Sequence, residues 1–303
     1  MIRRPSQHCF ALWLLALCLF CALPAANAAP PASPQQIFVS ILPEEFLATR
    51  VGGTRVQVET LVQPGHNMHT YAPTPLQMAR LARAQFYFRI GVPFETPLIA
   101  KLQRTVPDLK IVDLQEGLDL MQLEEPDEEH HEHGGEMDPH TWLDPKLALK
   151  QAQRIHATLV AHDPTGREEY DRNLARLTDD LQELDQTLRT ILQPFAGQTI
   201  YVFHPAYGYF CRAYNLKQKA INVLGKETGA RHLARLIEEA QKEGVRVIFV
   251  QPQFSEKTAA TIARSIGGSV VSLDNLSRDY LANMKSMALQ IAAALTPAPK
   301  EGR

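Results

Sequence analysis

TGREEYDRNLARLTDDLQELDQTLRTIL, residues 165–192, decides the architecture. Its apolar positions are Tyr170, Leu174, Leu177, Leu181, Leu184, Leu188 and Ile191, spaced 4, 3, 4, 3, 4, 3. That alternation draws one apolar stripe along one face of an α-helix. Asp163-Pro164 punctuates the chain before it, and Pro194 and Gly197 end it. At about 1.5 Å per residue, a helix from Thr165 to Leu192 runs roughly 40 Å. A seven-residue repeat also marks a coiled-coil dimer seam. Here it is a single stretch with α/β patterns on both sides, so a long intramolecular helix packing along two lobes is expected. One stiff connector of this kind limits hinge opening.

On the N-terminal side, strand-like and helical segments alternate. Ile37–Leu42, Val56–Gln63, Phe86–Gly91 and Leu109–Leu114 read as strands, and Pro43–Val51, Pro75–Ala84 and Phe94–Val106 as helices. A further helix opens at Asp144-Pro145 and runs to about Ala161. On the C-terminal side, Thr199–His204, Lys217–Leu224, Val245–Gln251 and Ser269–Asp274 read as strands. Ala206–Tyr214, Ala230–Glu243, Ser255–Ile266 and Tyr280–Leu295 read as helices. This order predicts mainly parallel sheets covered by helices, an α/β fold. The expected organisation is a leader at 1–28, an N-terminal lobe at 29–164, a connecting helix at 165–193 and a C-terminal lobe at 194–303. An acidic, histidine-bearing stretch at 119–137 interrupts the first lobe, and flexibility is expected there.

The leader has Arg3 and Arg4, an apolar run from Phe10 to Leu23, and Ala26-Asn27-Ala28, the pattern of a secretory signal cleaved after Ala28. The run is too short for an ordinary membrane span. Leu17 and Phe20, just before Cys18 and Cys21, are bulkier than a lipidation signal wants, so a soluble exported protein is expected. The chain has 31 Lys and Arg against 33 Asp and Glu, net −2; without Arg3 and Arg4 the net is −4. Nothing in that balance suggests nucleic acid or an anionic membrane. Three of the four cysteines precede residue 28, which leaves Cys211 without an intrachain disulfide partner even in an oxidising compartment.

Four positions read as one metal site: His69, His140, His204 and Asp274. Each follows a predicted strand, and loops beyond strand carboxyl ends line the ligand crevice in α/β proteins. Three imidazoles and one carboxylate suit four-coordinate Zn²⁺. A closed set of this kind holds a metal rather than using it for chemistry, which points to a carrier. His69 lies in the Gly- and Pro-rich loop PGHNMHTYAPTP, residues 64–75, which also offers His66 as an auxiliary or solvated residue. His140 lies beside Trp142 in MDPHTWLDP, residues 137–145; alone, it reads equally well as a core-edge histidine. Asp274 in SVVSLD, residues 269–274, is also a candidate helix N-cap. Free imidazole titrates near about 6.5, so zinc binding is expected to weaken between about pH 6.5 and 5.

The motifs GHNMHTYAPTP, DPHTWLDP, FHPAYGYF, INVLGKE and VVSLD resemble those of the metal receptors of ABC importers, and most closely the ZnuA-like zinc branch of the cluster A-I solute-binding proteins. The resemblance spans Gln35 to Leu295. It implies two α/β lobes joined by a rigid helix, with Zn²⁺ held between them. It also implies a periplasmic monomer that delivers zinc to a membrane permease driven by a cytoplasmic ATPase. Carried over by position, the family's three histidines fall on His69, His140 and His204, and its final carboxylate on Asp274. The related manganese branch has Glu at the third position, so His204 favours zinc over a manganese or iron receptor. Many relatives have an acidic residue near position 222, where this chain has Asn.

The stretch EEPDEEHHEHGGE, residues 124–136, carries His130, His131 and His133. Zinc relatives often have a histidine-rich loop here, so these three are candidate auxiliary ligands; a solvated run is the other reading. GKE at 225–227 lacks the rest of a phosphate-binding loop. A zinc hydrolase would need an open coordination position and a general base. The chain has no HExxH motif, and no Glu adjoins His69, His140, His204 or Asp274 in sequence.

Overall fold

The computed structural model describes residues 33–123, 137–221, 230–254 and 256–297. The expected leader, the stretch with His130, His131 and His133, Asn222 and the GKE at 225–227 lie outside the described residues.

Two four-stranded parallel sheets form. The first contains β1 (Gln35–Val39), β2 (Val56–Thr60), β3 (Phe86–Arg89) and β4 (Lys110–Asp113) in the order β2-β1-β3-β4. The second contains β5 (Thr199–Val202), β6 (Lys217–Ala220), β7 (Val247–Val250) and β8 (Ser269–Ser272) in the order β6-β5-β7-β8. The two orders are the same, so the halves share a topology despite having no visible sequence repeat. In each sheet the strand order reverses at the first strand, and the crevice beyond such a point is where ligands bind in open α/β sheets.

The connecting segments are α1 (Leu42–Gly52), α2 (Pro75–Leu81), α3 (Glu95–Thr105), α4 (Pro145–His162), α5 (Arg167–Leu192), α6 (Gly208–Ala213), α7 (Ala230–Lys242), α8 (Glu256–Ser265) and α9 (Tyr280–Leu295). Most expected elements form within a few residues of their predicted bounds. The strands are shorter than the apolar runs, because the last residues of each run turn into the loops that build the site.

The long helix α5 has 26 residues. It packs against α1 and α4 from the first half and α9 from the end of the chain. Tyr170, Leu177, Leu181, Leu184 and Leu188 are buried on that face, while Leu174 and Ile191 are partly covered. At the C-terminal end Leu192 is fully buried instead of Ile191. A straight helix of 3.6 residues per turn drifts from a strict seven-residue repeat, so the buried stripe moves on by one position. Each buried side chain of this type contributes about 1.5–3 kcal/mol by leaving water.

Buried carboxyls fix the turns beyond the strands of the first sheet. Glu44, in the first turn of α1, accepts from the backbone N–H of Ser40 at 2.9 Å and of Ile41 at 3.3 Å. Glu95, in the first turn of α3, accepts from the N–H of Ile90 at 2.9 Å and Gly91 at 2.7 Å, and from the Ser40 hydroxyl. Burial pushes the Glu95 carboxyl up to about 7, and burial, with Glu95 nearby, holds Glu44 well above its ordinary value. Gly91 is at φ +83°, and a Cβ there would meet Gln115 Oε1 at 2.3 Å. The positive φ favours glycine at this turn, and any Cβ would have to displace the Gln115 amide.

The halves are also tied directly. Trp142 is fully buried, and its Nε1 donates to the Asn275 carbonyl at 2.7 Å. The Tyr280 hydroxyl donates to the Trp142 carbonyl at 2.6 Å, and its ring stacks on Phe46 at 5.4 Å between centroids. No helix among the described residues is long and apolar enough to cross a membrane.

Candidate metal centre

His69 sits in the loop between β2 and α2. Three devices hold that loop. Thr74 caps α2 through a reciprocal pair with Gln77, with Pro75 at the first turn. The Tyr71 hydroxyl and Gln77 Nε2 both donate to the Leu61 carbonyl, at 2.6 and 2.8 Å. Asn67 Oδ1 then accepts from the His69 N–H at 2.8 Å, the side chain-to-backbone turn Asn favours. Met68 is buried beneath, which orients the next side chain away from the core.

His204 lies two residues past β5. Its carbonyl accepts from Gln251 Nε2 at 3.1 Å and from Ala206 N–H at 2.8 Å. The Phe254 ring lies 5.1 Å away and covers one side of the imidazole.

His140 departs from expectation in its setting. It does not follow a sheet strand; it follows an isolated antiparallel bridge between Gln122 and Met137 and precedes a short 3₁₀ turn, Thr141–Leu143. Around Trp142 the motif is buried as a turn rather than as the end of a strand. The stem is fastened to the second half. The Tyr209 hydroxyl accepts from Met121 N–H at 2.8 Å and donates to the Asp138 carbonyl at 3.1 Å. Arg212, over the Tyr209 ring, pairs with Asp119 at 3.3 Å.

The three imidazoles converge. One ligating atom from each of His69, His140 and His204 lies within 4.8 Å of the others. Ring centroids are 4.5 Å apart for His69–His204, 5.5 Å for His140–His204 and 5.6 Å for His69–His140. His140 and His204 are buried, and His69 nearly so. Burial, with His140 alongside, pushes the His69 imidazole down to about 3. Burial and both neighbouring imidazoles hold His204 well below its ordinary value. Near pH 7 both are therefore neutral, the form that offers a lone pair to a metal. Buried His69 Nδ1 and His140 Nε2 have no hydrogen-bond partner. Buried polar atoms are normally satisfied, so an unpartnered His140 Nε2 beside two further imidazoles is what a cation site offers.

Asp274 lies outside that group of three. Its Oδ1 accepts from the Leu276 N–H at 2.9 Å and from Gln253 Nε2 at 3.3 Å. It caps a turn rather than a helix, since α9 starts six residues later. It lines a cleft of about 360 Å³ with Gln63, Pro64 and Gly65 of the first half. His66 is exposed and edge-on to Tyr71 at 6.0 Å, outside the group of three. Sequence reasoning missed Asp138, whose Oδ1 accepts from His140 Nδ1 at 2.6 Å. The signal was an acidic residue two positions before a proposed ligand.

Two parallel α/β halves spanned by one long helix, with histidines from both halves converging, are the architecture of a two-lobed metal-binding receptor. More particularly, the chain belongs to the ZnuA family, the zinc-uptake complex component A, periplasmic, whose sequence model matches residues 37–294. It is similar to the high-affinity zinc uptake system protein ZnuA of Bacillus subtilis, 29% identical over 283 residues, covering 88% of each chain. A crystal structure of a ZnuA protein superposes with a TM-score of 0.81 at 37% identity, covering 87% of this chain and 100% of that one. A zinc-bound ZnuA deletion mutant gives the same TM-score and identity, covering 88% and 100%.

Proposed function

We propose that this protein is the extracytoplasmic receptor of a zinc ABC importer, capturing Zn²⁺ between its two halves and handing it to the membrane permease. The observation that carries the reading is the convergence of three imidazoles, two buried and one half-buried, two of them with unpartnered ring nitrogens. His69, His140 and His204 would be the protein ligands. Asp274, at the rim, or a water would complete the tetrahedron. The relatives' zinc-uptake names and the zinc-bound ZnuA structure support the choice of metal. Donor chemistry supports it too, since imidazole donors suit zinc better than manganese.

Binding rather than catalysis follows from the same arrangement. Among the described residues the converging group is three imidazoles, and the neighbouring Asp138 carboxylate is engaged by His140, while the relatives' names are those of uptake proteins. The lobes would be residues 29–164 and 194–303, joined by the helix at 165–193. Cleavage after Ala28 would release a monomer into the periplasm, where it meets a permease and its ATPase. Metal content of protein purified without chelator, followed by zinc titration against a competing chelator, tests the reading. One tight zinc per chain is expected; tighter binding of Mn²⁺ than Zn²⁺ would sink it.

A further inference from the structure

Asp138 is buried, 2% exposed, between a proposed ligand and the second half of the molecule. Its Oδ1 accepts twice from His140, from the backbone N–H at 2.9 Å and from Nδ1 at 2.6 Å. A carboxylate oxygen can only accept, so the proton sits on Nδ1. Nε2 is thereby left as a bare lone pair, and Nε2 is the buried atom without a partner. The neutral imidazole has two tautomers, and the bond at one nitrogen selects which nitrogen can bind a metal.

The carboxylate is itself held. The Asp138 N–H donates to the Met121 carbonyl at 2.8 Å, and the Asp138 carbonyl accepts from Tyr209. On the far side, a Cβ on Gly208 would lie 2.9 Å from Oδ2. Glycine at the start of α6 is what lets the second half close over this carboxylate.

We infer that Asp138 is the positioning residue of the metal centre: through Nδ1 it fixes the tautomer and ring direction of His140 and so tunes the affinity for Zn²⁺. The inference rests on the reading of His140 as a ligand. Outer hydrogen-bond partners of ligating histidines typically change metal affinity by about 10–100-fold when removed.

The test uses the full chain and zinc alone. Zinc Kd is measured by chelator competition for wild type, Asp138→Ala, Asp138→Asn and His140→Ala. Long-range ¹H–¹⁵N spectra of the zinc-free proteins report the His140 tautomer. Asp138→Ala is expected to populate the Nε2–H tautomer and to weaken binding by about 10–100-fold. In Asp138→Asn the amide oxygen still accepts from Nδ1, so the tautomer and most of the affinity return. An unchanged Kd in Asp138→Ala, or weakened binding with the tautomer unchanged, overturns the role. Full zinc affinity in His140→Ala would instead remove the ligand reading on which it rests.

Discussion

His69 Nε2 and His204 Nε2 lie 2.9 Å apart across 135 residues of chain, one from each half of the molecule. A single proton shared between two neutral rings accounts for that spacing. Zinc bound by both nitrogens at about 2.0–2.1 Å in a tetrahedron would set them about 3.4 Å apart. Exchanging the proton for the metal therefore asks for a movement of about half an ångström, within reach of side-chain rotation alone. A long stiff helix is compatible with so small an adjustment.

The first prediction concerns the ligands. His69→Ala, His140→Ala and His204→Ala should each weaken zinc binding by about a hundredfold or more, about 2.7 kcal/mol. Asp274→Ala and His66→Ala should cost much less, because neither side chain belongs to the converging group. Chelator competition on the five variants decides it. A His66→Ala defect larger than that of His69→Ala would reverse the assignment within the first loop.

The second concerns pH. His69 is held near about 3 when folded, against 6.5 for the free group. The unfolded chain then binds more protons between those values, so the zinc-free protein loses stability as pH falls through that window. His204 acts in the same direction. Each contributes at most about 1.4 kcal/mol per pH unit. Glu95, raised to about 7, acts oppositely, costing stability as pH rises toward 7. Comparing wild type with His69→Asn by denaturant unfolding at several pH values cancels the Glu95 contribution. The variant should show a shallower loss on acidification; parallel curves would refute the shift. For zinc binding, competition at His69 moves from the free-imidazole range toward about 3. Zinc Kd measured from about pH 5 to 7.5 decides between that shift and the weakening near pH 6 expected of free imidazoles.

Much of this was legible beforehand, and the misses are physical. The seven-residue stripe from Tyr170 to Ile191 was readable because a helix between two lobes must bury one continuous face. The strand ends bearing His69 and His204 were readable because apolar runs stop at polar loops. His140 was found by its motif but misplaced after a strand. The run around Trp142 is buried from all sides as a turn, and burial without periodicity does not distinguish strand from turn. Asp138 was not legible as a partner of His140, since nothing in DPH states that the chain turns back on itself. Asp274 was named from residue type and position; it stands outside the converging three with its Oδ1 accepting from Leu276 and Gln253, and whether it or a water completes the set is left to the Asp274→Ala variant.

Two core substitutions test the frame. Leu181 is 1% exposed on the buried face of α5, so Leu181→Ala should cost about 2–5 kcal/mol. Trp142→Phe removes volume and the bond to Asn275, and should cost about 2–4 kcal/mol. Trp142 also lies 5.2 Å from the His140 ring, so its variant should weaken zinc binding, whereas Leu181→Ala should not. Chemical unfolding and zinc titration on the same samples separate the two effects; equal zinc Kd values would deny Trp142 any part in the site.

Zinc should raise the melting temperature. A ligand bound only by the native state stabilises it by RT ln(1 + [L]/Kd), about 4 kcal/mol at a thousandfold excess over Kd. The proposed ligands come from both halves, so the metal would tie together what the interlobe hydrogen bonds already hold. A melting curve unmoved by zinc would remove the interlobe site.

The last prediction concerns the histidines that lie outside the described residues, His130, His131 and His133. Gln122 and Met137 pair as an antiparallel bridge, and Asp138 N–H donates to Met121 at 2.8 Å. The ends of the intervening stretch are therefore already adjacent. Replacing residues 124–135 with Asn-Gly, a pair that favours tight hairpin turns, can close the gap without moving the stem. The three converging histidines all lie outside the removed stretch, so the tight zinc equivalent should keep its affinity. Additional weak equivalents should disappear, since ligands without fixed geometry must be ordered on binding and bind less tightly. A zinc titration of both proteins, reading stoichiometry and the tightest Kd separately, decides between the outcomes. Loss of the tight phase would mean that the stretch supplies a primary ligand, and that one of His69, His140 and His204 does not. Unchanged stoichiometry would leave the stretch as a solvated acidic run with no metal to collect.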